Sequence, residues 1–349
     1  MNRVSDPQSS KHRKGCLWWA VRGLSVFLLL SIVMATYQTV TSRRDRRVSP
    51  PPGDLITVDG LEMHLYCIGV GSPTVILEAG MTSHWLTWDL VQSGIGSFTR
   101  VCAYDRLGLG WSAPTNNFSQ TSEVAERLQQ LLQTASVAPP YVLVGHSLGG
   151  VHVRSFANQY REDVVGMVLV DSSHEEQNLR MPEELVALQT MPNLIWNACR
   201  VLAPFGLQRL LGMAEAEAEL TPLSAESRQQ FIAVANQTHF CRAAQQEETA
   251  GQLDLTQSAP PKSLGDLPLI VLSADIDLWE DEQDDLPAGI TVELLEQDYA
   301  VWIELHQELA ALSTRGRHQI IPDTTHFIQY DAPDIVIEAV REVVELAQQ

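Results

Sequence analysis

Apolar residues in this chain fall into three kinds of run. The first is continuous: residues 23–37 carry no charge, and the stretch extends backwards past Arg22 to residue 17 and forwards to residue 40. That length is sufficient to cross a hydrocarbon layer of roughly 30 Å. The second kind is short and rich in Val, Ile and Leu, at residues 74–78, 100–105, 141–144, 164–170, 267–272 and 318–321. Each reads as a strand buried on both faces. The third kind has helical spacing. Val124, Leu128, Leu131 and Leu132 share one face of a helix capped by Thr121 or Ser122, and residues 85–91 predict another helix. Ile335, Val336, Ala339, Val340, Val343 and Val344 do the same in a closing helix capped by Asp334. Near the start of the body, Asp59-Gly60 separates two alternating runs over residues 55–66 and predicts a hairpin.

Buried strands alternating with helices imply a mostly parallel sheet with helices on both faces. Residues 175–262 break the alternation. They are rich in Leu, Ala, Met, Glu and Gln, are punctuated by Pro182, Pro192, Pro204, Pro222 and Pro260-Pro261, and contain no strand pattern. They predict a helical insertion beyond the carboxyl ends of the strands, where open α/β sheets bind ligands, and so a lid.

Charge divides the chain. Residues 1–50 hold nine Lys/Arg and two Asp/Glu, whereas the whole chain carries a formal charge of −20, so the body beyond residue 50 is strongly acidic. An acidic body lacks the basic face that nucleic acids require. The expected organisation is a basic arm (1–16), a transmembrane segment (17–40), a basic, Pro-rich linker (41–53) and a catalytic body (54–349). Trp18 and Trp19 suit an interfacial belt. A cleaved secretory signal is the competing reading, but no small-x-small cleavage site follows Ala35. Basic residues flank the segment almost evenly. The orientation preferred is N-terminus inside, with the body extracytoplasmic on a single-pass anchor.

Five cysteines lack any C-x-x-C spacing, so no metal site is expected. Cys67 and Cys102 fall in strands and are expected as buried free thiols. Cys199 and Cys241 share the helical region and could pair in an oxidising compartment, while Cys16 offers only its position beside the membrane segment.

The chemistry is concentrated at residues 141–150, Tyr-Val-Leu-Val-Gly-His-Ser-Leu-Gly-Gly. Here G-x-S-x-G stands between a strand and a helix, the setting of a nucleophile elbow. Gly145 and Gly149 lie two residues before and after Ser147, where a side chain would obstruct the turn. A serine hydroxyl needs a base oriented by a carboxylate. His326, in the loop between the last strand and the closing helix, is the expected base, and His318 at the start of that strand is expected to be structural. For the acid, Asp277 in the loop after residues 267–272 is favoured by position over Asp275. Asp171, after the strand at 164–170, is a further candidate whose ordinary reading is a loop cap. The oxyanion donors expected are the amides of Leu148 and of Met81, with Gly80 as the hinge.

Taken in order, these pieces resemble the α/β-hydrolase superfamily: Leu77-Glu-Ala-Gly80, Tyr104-Asp-Arg-Leu-Gly-Leu-Gly-Trp-Ser112, Gly145 to Gly150, Leu272 to Asp277, and His326 to Asp334. The resemblance spans residues 55–345. It implies an eight-stranded, mostly parallel sheet with a lid between strands six and seven. The chain departs from many relatives in having Ala79-Gly80 where they have His-Gly. A serine nucleophile speaks against the epoxide hydrolase and dehalogenase chemistry of the fold, which uses aspartate. The expected function is hydrolysis of small-molecule or lipophilic esters by a membrane-tethered enzyme without cofactor. The alternatives are a ligand-binding or sensory protein with little turnover, and a peptidase or acyltransferase with the same triad.

Overall fold

The computed structural model describes residues 7–115, 120–190, 194–257, 262–275, 286 and 289–349. Eight strands form one sheet: β1 (Asp54–Val58), β2 (Leu61–Ile68), β3 (Thr74–Glu78), β4 (Val101–Tyr104), β5 (Tyr141–His146), β6 (Val164–Val170), β7 (Leu269–Ala274) and β8 (Gly316–Ile321). Their order is β1-β2-β4-β3-β5-β6-β7-β8. The hairpin β1–β2 and the β2–β4 pair are antiparallel, and every later pair is parallel.

Helix α1 (Pro7–Val48) precedes the sheet, and α2 (Asp89–Gly96), α3 (Thr121–Thr134) and α4 (Leu148–Gln159) lie among its first strands. Between β6 and β7 come α5 (Gln177–Arg180), α6 (Glu183–Thr190), α7 (Leu194–Leu202), α8 (Leu207–Leu210), α9 (Met213–Leu220), α10 (Ala225–Ala235) and α11 (Phe240–Gln257). Helices α12 (Val292–Ala311), α13 (Ile328–Asp331) and α14 (Pro333–Ala347) complete the chain. One face of the sheet packs on Leu128, Leu131 and Leu132 of α3, Val153 and Phe156 of α4, and Leu309 of α12. The other packs on Val91 and Ile95 of α2 and on Val336, Val340 and Val343 of α14. The stripes of α3 and α14 are the ones read from the spacing. The caps differ. Helix α3 starts at Thr121 behind Gln120, and α14 starts at Pro333, so Asp334 sits in the first turn.

Two expectations need correction. Helix α1 continues through Val48, so most of the anticipated linker is helical and the irregular spacer is short. Helix α1 includes Trp18–Val48, which is long and apolar enough to cross a membrane. Cys67 and Cys102 are not free thiols: they oppose each other across β2 and β4 and form a disulfide. Cys199 and Cys241 do pair, stapling α7 to α11.

The sheet register positions the site. Glu78 at the end of β3 lies opposite Gly145 of β5, and His146 lies opposite Val170 at the end of β6. The loops after β3, β5 and β6 therefore leave the sheet side by side. They are packed so closely that glycine is required between them. A Cβ on Gly145 would come within 2.7 Å of the Gly149 carbonyl oxygen, and one on Gly149 within 2.6 Å of those of Glu78 and Ala79. Backbone cannot retreat as a flexible side chain can. Gly145→Ala is expected to cost about 1–3 kcal/mol through overpacking, read as a lower melting temperature of the detergent-solubilised chain. An unchanged melting temperature would mean that the elbow is looser than its contacts indicate.

Candidate active site

Ser147 stands between β5 and α4 at φ 53°, ψ −127°, a conformation that costs an L residue strain of order 1–3 kcal/mol. Hydrogen bonds hold it there. Its N–H donates to Val170 O at 3.2 Å, and its carbonyl accepts from Gly150 N at 2.9 Å and Ser173 N at 3.0 Å. Leu148 is the first residue of α4, so its amide belongs to the unpaired, positive end of that helix.

His326 lies in the loop after β8, with its Nδ1 2.6 Å from Asp171 Oδ2. Asp171, the residue after β6, is buried. Its other oxygen accepts from the Ala274 amide and from Trp302 Nε1, both at 3.0 Å. Burial would raise its pKa, but the hydrogen bond and charge of His326 prevail and hold it at about 2. The carboxylate against the imidazole is thus the one after β6, the candidate weighed second to Asp277. Asp277 lies outside the described residues. Asp275 is within 3.4 Å of the Tyr299 hydroxyl, which donates to it. His318, expected to be structural, shares Ser273 Oγ with His306.

His146 was not singled out from sequence. Its buried ring holds Nε2 2.9 Å from the carbonyl oxygen of His326. Burial, reinforced by His326, lowers its pKa to about 3, so it is neutral and donates that hydrogen bond. It thereby fixes the backbone that carries the expected base.

The loop after β3 is held by a residue that sequence also left without a role. Arg106 is buried, and its guanidinium donates to Ala79 O at 2.8 Å, Gly80 O at 2.6 Å and Glu247 Oε1 at 2.6 Å, and also to Glu78. Burial opposes its charge, but Glu247 and Glu78 outweigh that and raise its pKa. Glu247 in turn accepts from the Thr82 amide. A trans peptide points its N–H opposite to its carbonyl. With Gly80 O drawn to Arg106, the Met81 N–H points away from the guanidinium. Gly80 itself lies against the elbow, where a Cβ would be 3.1 Å from Ser147 Cβ.

Ser147, Asp171, His326, Gly80 and Met81 line one cavity of about 510 Å³. Helix α11 roofs it: Leu255 packs on Leu148, Val151 and Met81, and Gly251 leaves room for the Met81 and Leu148 side chains. A second cavity of about 480 Å³ shares Met81, Ser83 and Phe327 with the first and is lined also by Trp196 and Leu220 of the insertion. Among the described residues, no group of three or more His, Cys, Asp or Glu side chains could hold a metal ion.

Residues 75–339 match the model of the alpha/beta hydrolase family, and the chain belongs to that family. It is 27% identical over 291 residues to a probable transporter, efuK, of Hormonema carpetanum, covering 79% of this chain and 40% of that protein. It is also 27% identical over 371 residues to an uncharacterised protein of Schizosaccharomyces pombe, covering 94% of this chain and 63% of that one. This chain therefore spans less than two thirds of either relative. Among solved structures, the unliganded epoxide hydrolase CorEH superposes with a TM-score of 0.60 at 18% identity, covering 83% of this chain and 97% of its own. At that identity the likeness speaks for the fold alone.

The contact between Asp171 and His326 sets a direct comparison. For any acyl transfer through Ser147, Asp171→Asn is expected to lower kcat by about 10⁴-fold, as loss of the orienting carboxylate does in a Ser-His-Asp triad, while Asp277→Asn stays within a few fold of the parent. Steady-state kinetics of the two variants checks this, and the reverse ranking would return the acid to the loop after β7.

Proposed function

We propose that this chain is a membrane-anchored serine hydrolase that cleaves carboxylic esters through an acyl-enzyme on Ser147. One observation carries the reading. A serine held on a strained elbow shares a cavity with a histidine whose Nδ1 is bound to a buried carboxylate.

In this mechanism Ser147 Oγ attacks the ester carbonyl carbon while His326 Nε2 accepts the hydroxyl proton. Asp171, ionised far below neutral pH, stabilises the imidazolium. The oxyanion lies against the Leu148 and Met81 amides, each of which is worth about 10²–10³ in kcat. Collapse breaks the C–O bond, and His326 gives its proton to the departing alkoxide. Water then attacks the acyl-enzyme, again losing its proton to His326. The acid departs, and the proton returns to Ser147. A serine at the elbow supports acyl transfer over the epoxide opening of the superposed neighbour, since the fold's epoxide chemistry needs a carboxylate nucleophile.

The apolar, charge-free stretch of α1 supports an anchor, and its Trp18 and Arg22 side chains stack in the manner of an interfacial pair, 3.7 Å from guanidinium carbon to ring centre. Two disulfides suit an oxidising compartment and favour an extracytoplasmic body.

Labelling by a fluorophosphonate tests the reaction. The expected outcome is rapid modification of Ser147 in the parent chain and at least about a hundredfold slower modification in His326→Ala. No modification of a folded parent chain would leave the ligand-binding alternative in its place.

A further inference from the structure

The segment of α1 that ends the apolar stretch does not stand free of the body. Ser31, Met34, Ala35, Gln38, Thr41, Ser42 and Asp45 are its shielded positions, a stripe of helical period, while their neighbours are exposed. The stripe lies on the insertion. Gln38 Nε2 donates to Asn236 O at 2.8 Å, and its Oε1 accepts from Arg209 Nε at 3.3 Å. Arg209 reaches on to Asp45 at 2.6 Å. Gly206 takes a positive φ of 69° and has no side chain where Gln38 crosses it. Gln38 is a polar residue inside an apolar stretch and is only 1% exposed. In lipid its amide would be costly, and here it is satisfied by the lid.

The height of this contact matters. Gln38 lies only about 8 Å along the helix axis from Arg43, and Ser31 about 18 Å, at 1.5 Å per residue. If the apolar stretch is in lipid, the part of the insertion beside it is at the same level. That part is apolar on its outside: Val201 is 60% exposed, Leu202 37%, Leu210 56% and Leu211 67%, flanking the Gly206 contact on either side. Among the described residues beyond α1, ten of the fourteen exposed large hydrophobics fall within 175–262. An exposed patch of this kind needs an occupant. Helix α7, which carries Val201 and Leu202 outward, also contributes Trp196 to the second cavity, and Leu220 on the rim of that cavity is 87% exposed.

We propose that the outer face of the lid formed by α7, α8 and their connecting turn is seated in the lipid bilayer beside α1, and that the second cavity admits bilayer-resident esters laterally to Ser147. The proposal rests on the anchored serine hydrolase reading above. Apolar side chains at this level enter the boundary between headgroups and acyl chains, where each buried methylene is favourable. The two cavities then form one route from lipid to nucleophile, and the substrate class is amphiphilic esters with long acyl chains.

The test uses the full chain in phosphatidylcholine nanodiscs, in a Cys16→Ser background, with an environment-sensitive fluorophore on Leu211→Cys, Leu29→Cys or Val70→Cys in separate samples. Lipids spin-labelled near the headgroup and, in parallel samples, deep in the acyl chain are the quenchers. The expected result is quenching of at least about twofold at Leu211 and Leu29, and none at Val70, which is 86% exposed on the body. Quenching at Leu29 without quenching at Leu211 overturns the proposal and leaves the anchor standing. An unquenched Leu29 removes the anchor as well, whatever the fluorophosphonate experiment gives. A blue-shifted Leu211 probe that lipid does not quench means that protein covers this face, which also overturns the proposal.

A second arm reads delivery. Replacing Val201, Leu202, Leu210 and Leu211 with serine is expected to lower hydrolysis of a long-chain ester dissolved in the nanodisc by about tenfold, with p-nitrophenyl acetate hydrolysis in water unchanged. An equal effect on both esters overturns lateral admission.

Discussion

A buried guanidinium joins three parts of this protein that are remote in sequence. Arg106 comes from the loop after β4, its carbonyl partners from the loop after β3, and Glu247 from the helical insertion. Each carboxylate is tolerable in the interior only because the cation is there, and the cation only because of them. Leaving such a group without its partner costs about 3–5 kcal/mol. The same contact turns the Gly80–Met81 peptide and seats α11 over Leu148, so the shape of the cavity and the position of its roof share one electrostatic origin.

Strand order decides the rest of the site. Because β6 adjoins β5, the first residue beyond β6 emerges beside the elbow, and Asp171 needs no long loop to approach His326. Its positive φ of 41° marks a sharp departure from the sheet. Trp302 and the Ala274 amide then close around its second oxygen, leaving a rigid acceptor for the imidazole. Neutral His146 completes this frame by tying the His326 backbone to the elbow strand.

Ser147, Gly145, Gly149 and His326 were readable because their signals are local: a strand, a turn and a helix in immediate succession, and a loop with one histidine near the end of the body. The strands and the two amphipathic helices were readable for the same reason. Asp171 was weighed but not preferred, since proximity to His326 depends on which strands are neighbours, and hydrophobic pattern carries no strand order. Arg106 stood in a motif whose purpose was hidden by a partner 141 residues away. The Cys67–Cys102 bridge likewise depends on a register between β2 and β4 that cannot be read from either strand alone. Helix α1 outran its predicted end because Thr41 to Val48, although polar and charged, have no helix-breaking residue among them before Pro50.

Helix α1 runs unbroken through 42 residues, a rod of roughly 60 Å. Gln38 and Asp45 clamp its distal third to Arg209, Gly206 and Asn236. A flexible tether would let the body turn freely on its stalk; this one fixes an angle. On the proposed anchoring, the tilt of the rod in the bilayer becomes the tilt of the insertion packed on it, and the second cavity, lined by Trp196 and Leu220, keeps a constant bearing to the plane of the membrane.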